Sequence, residues 1–229
     1  MAAPHVLVLP FPAQGHVIPL MELSHRLVDQ GFEVTFVNTE VNHTLVLGAL
    51  PANGAGRSLD GIRLVSLPDG LADADDRKHL SKLVNGYERH MPGHLEELIR
   101  GIEASGGTKF RWLIADLGMG WAFEVAKKLG IKSACFWAPA AAFIALAFRI
   151  PQLMRDGVID DKGWPKRQET FRLSPKMPPL HTSLIPWNKA GPPEGQPAIF
   201  QLTARDNEEK DLAEVIVCNS FHVYLVPEH

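Results

Sequence analysis

A histidine that directly follows an apolar run is the first residue placed to do chemistry in this chain. The segment 5–20 reads HVLVLPFPAQGHVIPL, in which the run ends in a turn containing Gly15, and His16 starts a helical pattern. Turns of this kind, at the carboxyl ends of parallel strands, are where α/β folds hold their ligands. An imidazole titrates near neutral pH and can exchange a proton there. We therefore predict that His16 is the residue that carries the chemistry of a functional site.

A carboxylate that could serve this histidine ends a later predicted strand. The run RWLIAD covers 111–116 and closes on Asp116. Because the carboxyl ends of parallel strands share one rim of the sheet, both side chains are predicted on that rim. A carboxylate bound to one ring nitrogen would leave the other nitrogen to take a proton from a substrate hydroxyl. The alternative interpretation of His16 is a turn or capping residue.

The elements that must position this pair are strands and helices, whose patterns alternate along the chain. Apolar runs predict strands at 6–9, 33–38, 62–67, 111–116, 131–137 and 215–219. Helical spacing predicts helices at 16–27, from 39 or 42 to 50, and at 79–102, 121–129, 139–155 and 199–214. Pro92 and Gly93 are expected to kink or break the third helix. The alternation predicts an α/β fold with a doubly wound, mostly parallel, Rossmann-like sheet.

The predicted domain covers 1–220 and contains one irregular excursion. Prolines are dense and periodicity is lost at about 158–197, which is typical of a functional lid, a binding loop or a disordered segment. The helix at 199–214 is predicted to carry a charged face that includes Arg205, Asp206 and Glu209. The last residues, 221–229, are predicted to form a truncated tail.

Composition argues against several classes of partner. The 229 residues carry a net charge of −3, which gives no electrostatic case for nucleic acid or an anionic membrane. The most apolar segment, at 134–148, is shorter than the ~18 residues that a membrane span needs. The start of the chain lacks a signal-peptide pattern, so we expect a soluble, cytoplasmic protein. Cys135 and Cys218 are expected to be buried, reduced thiols.

Cofactor motifs are incomplete, and we expect no cofactor and no metal. Gly118 and Gly120 follow a strand as in a dinucleotide fingerprint, but Phe123 stands where the third glycine belongs. The chain has neither a phosphate-binding GxxxxGK[ST] loop nor a GxSxG nucleophile elbow. His90 and His94 are four residues apart, but Pro92 and Gly93 separate them and no third ligand is near.

Six segments of the chain carry specific motifs. In chain order they read PFPAQGHVIPLMELSHRL, GFEVTFVNTE, IRLVSLPDGL, WLIADLGMGWAFEVAKKLGI, ACFWAPAAA and VIVCNSF. These segments resemble the N-terminal half of plant UDP-dependent glycosyltransferases that modify small metabolites. Together these motifs extend the resemblance over nearly the whole chain. The resemblance implies the GT-B fold, in which two Rossmann-like domains face each other and the N-terminal one binds most of the acceptor.

The resemblance also assigns roles to the candidate pair. It implies that His16 is the catalytic base and that Asp116 supports it. The base deprotonates an acceptor hydroxyl, and the oxygen attacks the anomeric carbon opposite the departing UDP, with inversion. UDP-sugar, with glucose as the expected sugar, is then a co-substrate. Gln14 and Gly15 would let the backbone approach this donor, since glycine has no Cβ.

Three further side chains are predicted from their positions to contact the acceptor: Phe11, Met119 and Trp137. Core packing is the alternative interpretation of each. Many members of the family carry Thr or Ser after the aromatic pair of the fifth strand, where the hydroxyl meets the donor sugar. This chain has Ala138 there, which cannot make that contact.

Two functions of different classes stay open from the sequence. The first is the acceptor-binding half of a glycosyltransferase of secondary metabolism, acting on a hydroxyl or carboxyl of a small apolar metabolite. The second is a non-catalytic fragment that binds an acceptor or a partner, because nothing after Asn219 could supply the UDP-binding domain. In either case an exposed interdomain face predicts self-association. A Rossmann oxidoreductase is a third possibility, and it predicts nicotinamide binding that we do not expect.

Overall fold

The computed structural model describes residues 3–49, 59, 61–71, 80–175, 177–190 and 192–220. Strands β1 to β8 span His5–Leu9, Glu33–Thr39, Ile62–Leu67, Phe110–Asp116, Lys132–Trp137, Thr170–Phe171, Leu180–His181 and Val215–Cys218. Helices α1 to α7 span Gln14–Asp29, Glu40–Ala49, Leu80–Ala104, Trp121–Leu129, Ala141–Ala147, Ile150–Arg155 and Gln196–Glu209. The predicted tail at 221–229 lies outside the described residues.

Six strands form one parallel sheet, in the order β3-β2-β1-β4-β5-β8. The prediction of a doubly wound, Rossmann-like α/β fold is confirmed. The order runs outward in both directions from the β1–β4 pair, which makes that pair the topological switch point. Ligands of such sheets bind in the crevice beyond the strand ends at this point. His16 follows β1 and Asp116 ends β4, so the fold places both residues at the crevice.

The central strands of the sheet are buried on both faces, which explains their continuous apolar runs. All five residues of β1 are buried, and the last four alternate between two apolar clusters. Leu7 and Leu9 face the side covered by α3 and α4, whereas Val6 and Val8 face the side covered by α1. β1 is therefore held from both sides, and the turn that follows it starts from a fixed position.

Helix α3 runs unbroken from Leu80 to Ala104 through Pro92, so the predicted break is wrong. Met91, Leu95 and Ile99 lie on its inner face with at most 1% of their surface exposed. Packing of this apolar stripe outweighs the local cost of a proline inside a helix. Among the described residues, no helix is both long and apolar enough to cross a membrane.

The predicted helix at 139–155 is two helices. α5 ends at Ala147, and α6 begins at Ile150 with a proline in its first turn. Proline is favoured there because the missing N–H would be unpaired in any case. Pro151 therefore starts a new helix rather than interrupting a long one.

The described part of the excursion at 158–197 packs with residues of α5, α6 and α7 into a third apolar cluster. Trp187 is fully buried, and its Nε1–H donates to the carbonyl of Gly163 at 2.9 Å. Its ring lies 5.5 Å from that of Phe200 on α7. Gly163 has a φ of +80°, and a Cβ there would collide with Phe200. This cluster anchors α7, which begins at Gln196, three residues earlier than predicted.

Candidate active site

His16 and Asp116 are hydrogen bonded, with 2.7 Å between Nδ1 of His16 and Oδ2 of Asp116. The turn after β1 brings His16 into the first turn of α1, where its N–H donates to the carbonyl of Ala13. An ionised carboxylate can only accept, so Nδ1 carries the proton in this pair. Nε2 is then the ring nitrogen with a lone pair, which is the form that a general base requires.

Asp116 is fixed by a second hydrogen bond, to the backbone two residues further along the chain. Its Oδ1 accepts from the N–H of Gly118 at 3.0 Å, which starts a short turn of 3-10 helix at Leu117–Met119. The side chain of Asp116 is only 4% exposed, whereas that of His16 is 31% exposed. A molecule at the rim can therefore reach the imidazole, while the carboxylate stays behind it and holds its orientation.

The pair changes the pKa of His16. Partial burial is the largest single influence and lowers this pKa, but the hydrogen bond and the charge of Asp116 outweigh it together. The net result is a pKa above the ordinary value of histidine. Asp116 therefore stabilises the imidazolium that would form when His16 takes a proton.

The titration of His16 should be visible in the stability of the protein. A raised pKa in the folded state means that the charged pair stabilises the fold fully below the unfolded value of about 6.5. This contribution disappears as the pH rises through the folded pKa. We expect the free energy of unfolding of wild type to exceed that of His16→Gln most near pH 6, and less near pH 8. Urea unfolding of both proteins measures this, and a difference that grows with pH would contradict it.

A cavity of about 230 Å³ opens beside the pair. Its walls come from the turn after β1, the ends of β4 and β5, and helices α3, α5 and α7. Most of the lining is apolar, from Phe11, Leu80, Trp137, Pro139, Phe143, Ile199 and Leu202. The polar side chains of the lining are those of His16, Asp116, Thr203 and Asp206. Such a site suits a small, largely apolar molecule with few polar groups.

The ring of Phe11 lines the cavity next to the imidazole of His16. Its ring centroid lies 5.4 Å from that of His16 and 6.1 Å from that of Tyr87. A Cβ on Gly118 would stand 3.0 Å from the Phe11 ring and 3.4 Å from Oδ1 of Asp116. Close packing therefore favours a glycine at position 118, which offers a reason for one glycine of the incomplete dinucleotide motif without any nucleotide.

Substitution of Gly118 tests this packing. We expect Gly118→Ala to lower the free energy of unfolding by about 1–3 kcal/mol, the usual cost of overfilling a packed site. Gly101→Ala is the matched control, because a Cβ on that exposed helical glycine meets no atom within 4 Å. This control should gain roughly 0.5–1 kcal/mol from better helix propensity. Urea unfolding compares the two, and equal effects would contradict the packing argument.

The structure places two of the three predicted acceptor-contact residues at the cavity and the third in the main core. Phe11 and Trp137 line the cavity, and the indole N–H of Trp137 donates to the carbonyl of Ala140 at 3.2 Å. Met119 is fully buried in the main core and is not among the residues that line the cavity. Its placement favours the packing interpretation.

The predicted donor contacts lie on the rim rather than in the cavity. Gln14 and Gly15 are exposed at the start of α1, and a Cβ on Gly15 would meet no atom of the described residues within 4 Å. Ala138 is partly buried just after β5, and its carbonyl accepts from the side-chain amide of Asn219 at 3.2 Å. The start of α1, next to His16, is therefore an exposed surface that a ligand can approach.

Sequence reasoning missed the contribution of α7. Asp206 was predicted on a charged face, but it is only 6% exposed and lines the cavity with Thr203. Arg205, on that face, forms ion pairs with Glu88 and Glu209. The sequence does contain a pattern that indicates the buried face of α7. Residues at spacings of three share one helical face, and this face carries Phe200, Thr203 and Asp206.

Potential metal ligands do not converge here. Within the described ranges, no three His, Cys, Asp or Glu side chains are grouped closely enough to hold a metal ion. Nδ1 of His94 instead lies 3.8 Å from a carboxylate oxygen of Glu97 on the same helix.

A His–Asp pair at the switch point of a parallel sheet defines a Rossmann-like α/β protein with a candidate general-base site. No protein-family model matches the chain. UDP-glycosyltransferase 83A1 of Arabidopsis thaliana is 42% identical over 226 residues, covering 97% of this chain and 49% of the relative. UDP-glycosyltransferase 82A1 of the same plant is 30% identical and covers 95% and 45%. The chain is a homologue of plant UDP-glycosyltransferases.

A solved structure shows the same fold. It is a UDP-glucosyltransferase from Polygonum tinctorium, described as capable of glucosylating indoxyl, in complex with 3,4-dichloroaniline. It superposes with a TM-score of 0.74 at 24% identity, over 96% of this chain and 46% of that one. The chain spans about half the length of the curated relatives it matches, and it corresponds to the N-terminal half of the GT-B fold.

Proposed function

We propose that this chain forms the acceptor-binding half of a UDP-glycosyltransferase of plant secondary metabolism. The reaction transfers a sugar, glucose in the first instance, from a UDP-sugar to a hydroxyl of a small apolar metabolite, with inversion. The observation that carries the proposal is the 2.7 Å hydrogen bond between Nδ1 of His16 and Oδ2 of Asp116, at the wall of a mostly apolar cavity. Homology to named UDP-glycosyltransferases supports the class of reaction. A cytoplasmic location stays a prediction.

His16 acts as the general base of the proposed reaction. The acceptor hydroxyl donates its hydrogen bond to Nε2, and its proton moves to this nitrogen as the oxygen attacks the anomeric carbon. The bond from that carbon to the UDP oxygen breaks on the opposite face, so the configuration inverts. The electron pair leaves with UDP, and the positive charge left on His16 is stabilised by Asp116.

The site favours a hydroxyl over a carboxyl as the reacting group. A carboxylate is already ionised near neutral pH and needs no base, so the His–Asp pair would be idle. A hydroxyl must lose its proton during attack, and a positioned base accelerates that step. The apolar walls, including Phe11 and Trp137, would hold the carbon skeleton and exclude water around the reacting oxygen.

The donor would approach across the exposed rim at the start of α1. Gln14 and Gly15 are proposed to contact it there, since both are exposed two residues or fewer from His16. Ala138 is proposed to leave the sugar without the hydroxyl contact that Thr or Ser would offer. The remaining contacts to UDP would come from the half of the GT-B fold to which this chain does not correspond.

Joining this chain to the C-terminal half of its 42% identical Arabidopsis relative tests the proposed function. The hybrid is incubated with UDP-glucose and a panel of phenols and aliphatic alcohols, and products are identified by mass spectrometry. We expect a glucoside with inverted configuration at the anomeric carbon. A folded hybrid that binds UDP but forms no glycoside would overturn the proposal. The 229-residue chain alone should bind the acceptors without measurable affinity for UDP.

A further inference from the structure

Asp206 is a buried carboxyl in the wall of the cavity that the proposed reaction does not use. It lies on α7, is only 6% exposed, and is one of the residues lining the cavity beside His16. Its Oδ1 is buried and makes no hydrogen bond with any residue that the structure describes. A buried polar atom without a partner destabilises the protein, and this cost disappears when a partner binds.

The other polar side chains of the wall already have partners. Asp116 accepts from His16 and from the N–H of Gly118. The hydroxyl of Thr203 donates to the carbonyl of Ile199 at 2.9 Å. Among the described residues of the lining, Asp206 is thus the carboxyl with an oxygen that accepts no hydrogen bond.

We propose that Asp206 determines acceptor specificity by hydrogen bonding a second hydroxyl of the acceptor, separate from the hydroxyl that reacts at His16. The inference rests on the proposed function and deepens it by naming the substrate class. The preferred acceptors are neutral, largely apolar molecules that carry two hydroxyls, because the rest of the wall offers mainly carbon surface.

The surroundings of Asp206 suit a neutral partner. Burial raises the pKa of Asp206 well above its usual range, the charge of Arg205 lowers it, and the charges of Glu209 and Asp116 raise it again. A protonated carboxyl can both donate to a hydroxyl and accept from it. An ionised one still accepts, so a hydroxyl is a partner for Asp206 in either form.

Two ligands that differ only in the second hydroxyl test the inference on the 229-residue chain. 2,6-Dihydroxynaphthalene and 2-naphthol share one skeleton, and their dissociation constants are measured by isothermal titration calorimetry. We expect wild type to bind the diol about tenfold more tightly, the effect of one buried hydrogen bond. Asp206→Leu should abolish this preference, whereas Asp206→Asn should keep most of it, because an amide also donates and accepts.

Glu208→Leu is the matched control, since Glu208 is exposed on the same helix and is not among the cavity residues. It should leave the preference for the diol unchanged. An undiminished preference in Asp206→Leu, or no preference in wild type, would overturn the inference. Circular dichroism melting of each variant checks that binding is compared between folded proteins.

This binding experiment does not depend on turnover, so it separates the two proposals. Loss of the diol preference in Asp206→Leu, together with a hybrid enzyme that makes no glycoside, would retain the binding role and reject sugar transfer. Glycoside formation with an unchanged preference in Asp206→Leu would retain sugar transfer and reject the role of Asp206.

Discussion

We expect His16→Ala to lower kcat for the proposed sugar transfer by about 10²–10⁴-fold, which is the usual contribution of a positioned general base. The variant removes Nε2, the nitrogen that would receive the acceptor proton, and leaves the apolar wall in place. The KM for the acceptor should therefore change much less than kcat. Steady-state kinetics of the hybrid enzyme, or of a longer protein containing this chain, with UDP-glucose and a phenol measures both constants.

The acidity of the acceptor distinguishes a base from a merely structural residue. A nitrophenol that is ionised at the assay pH needs no base, whereas an aliphatic alcohol needs one throughout. We expect the loss in His16→Ala to be large for the alcohol and small for the ionised phenol. His94→Ala on α3 is a control histidine outside the cavity and should leave both rates unchanged. Equal losses for both acceptors in His16→Ala would argue against base catalysis.

The sheet was predictable because burial on both faces leaves a direct mark in the sequence. β1 to β5 read as near-continuous apolar runs, and their alternation with helices predicts a mostly parallel sheet. The order of the strands in the sheet came from the structure. The meeting of His16 and Asp116 was predictable for the same reason, since parallel strands end at a common rim. Only the hydrogen bond itself, with its length and choice of nitrogen, required coordinates.

Features that depend on long-range packing were not predictable. Pro92 signals a break, but the stripe formed by Met91, Leu95 and Ile99 packs against the core and keeps α3 whole. The buried position of Asp206 depends on how the excursion at 158–197 holds α7, and no local pattern specifies that. Met119 shows the same limit, since a turn can be placed from sequence although the side chain that faces the cavity cannot.

The second large effect is expected from Asp116→Asn, which turns one of the two accepting oxygens into a hydrogen-bond donor. In wild type, Oδ1 accepts from Gly118 and Oδ2 accepts from His16. An asparagine has only one oxygen to divide between these donors. If that oxygen stays with Gly118, the amide NH₂ faces Nδ1 and forces the proton onto Nε2, where it blocks the base. We expect kcat to fall by about 10²-fold or more.

The pH profile identifies the cause of that loss. Asp116 raises the pKa of His16 through its hydrogen bond and its charge, so an asparagine should lower that pKa. A base works in its neutral form, and kcat/KM rises with pH through the pKa of the free enzyme. The acidic limb should therefore shift to lower pH in Asp116→Asn, while the plateau falls. Asp156 is an exposed residue after α6 and is not among the residues that line the cavity. Asp156→Asn removes one charge there and should change neither the position of the acidic limb nor the height of the plateau. A fall in the plateau without a shift of the limb would mean that Asp116 only supports the fold.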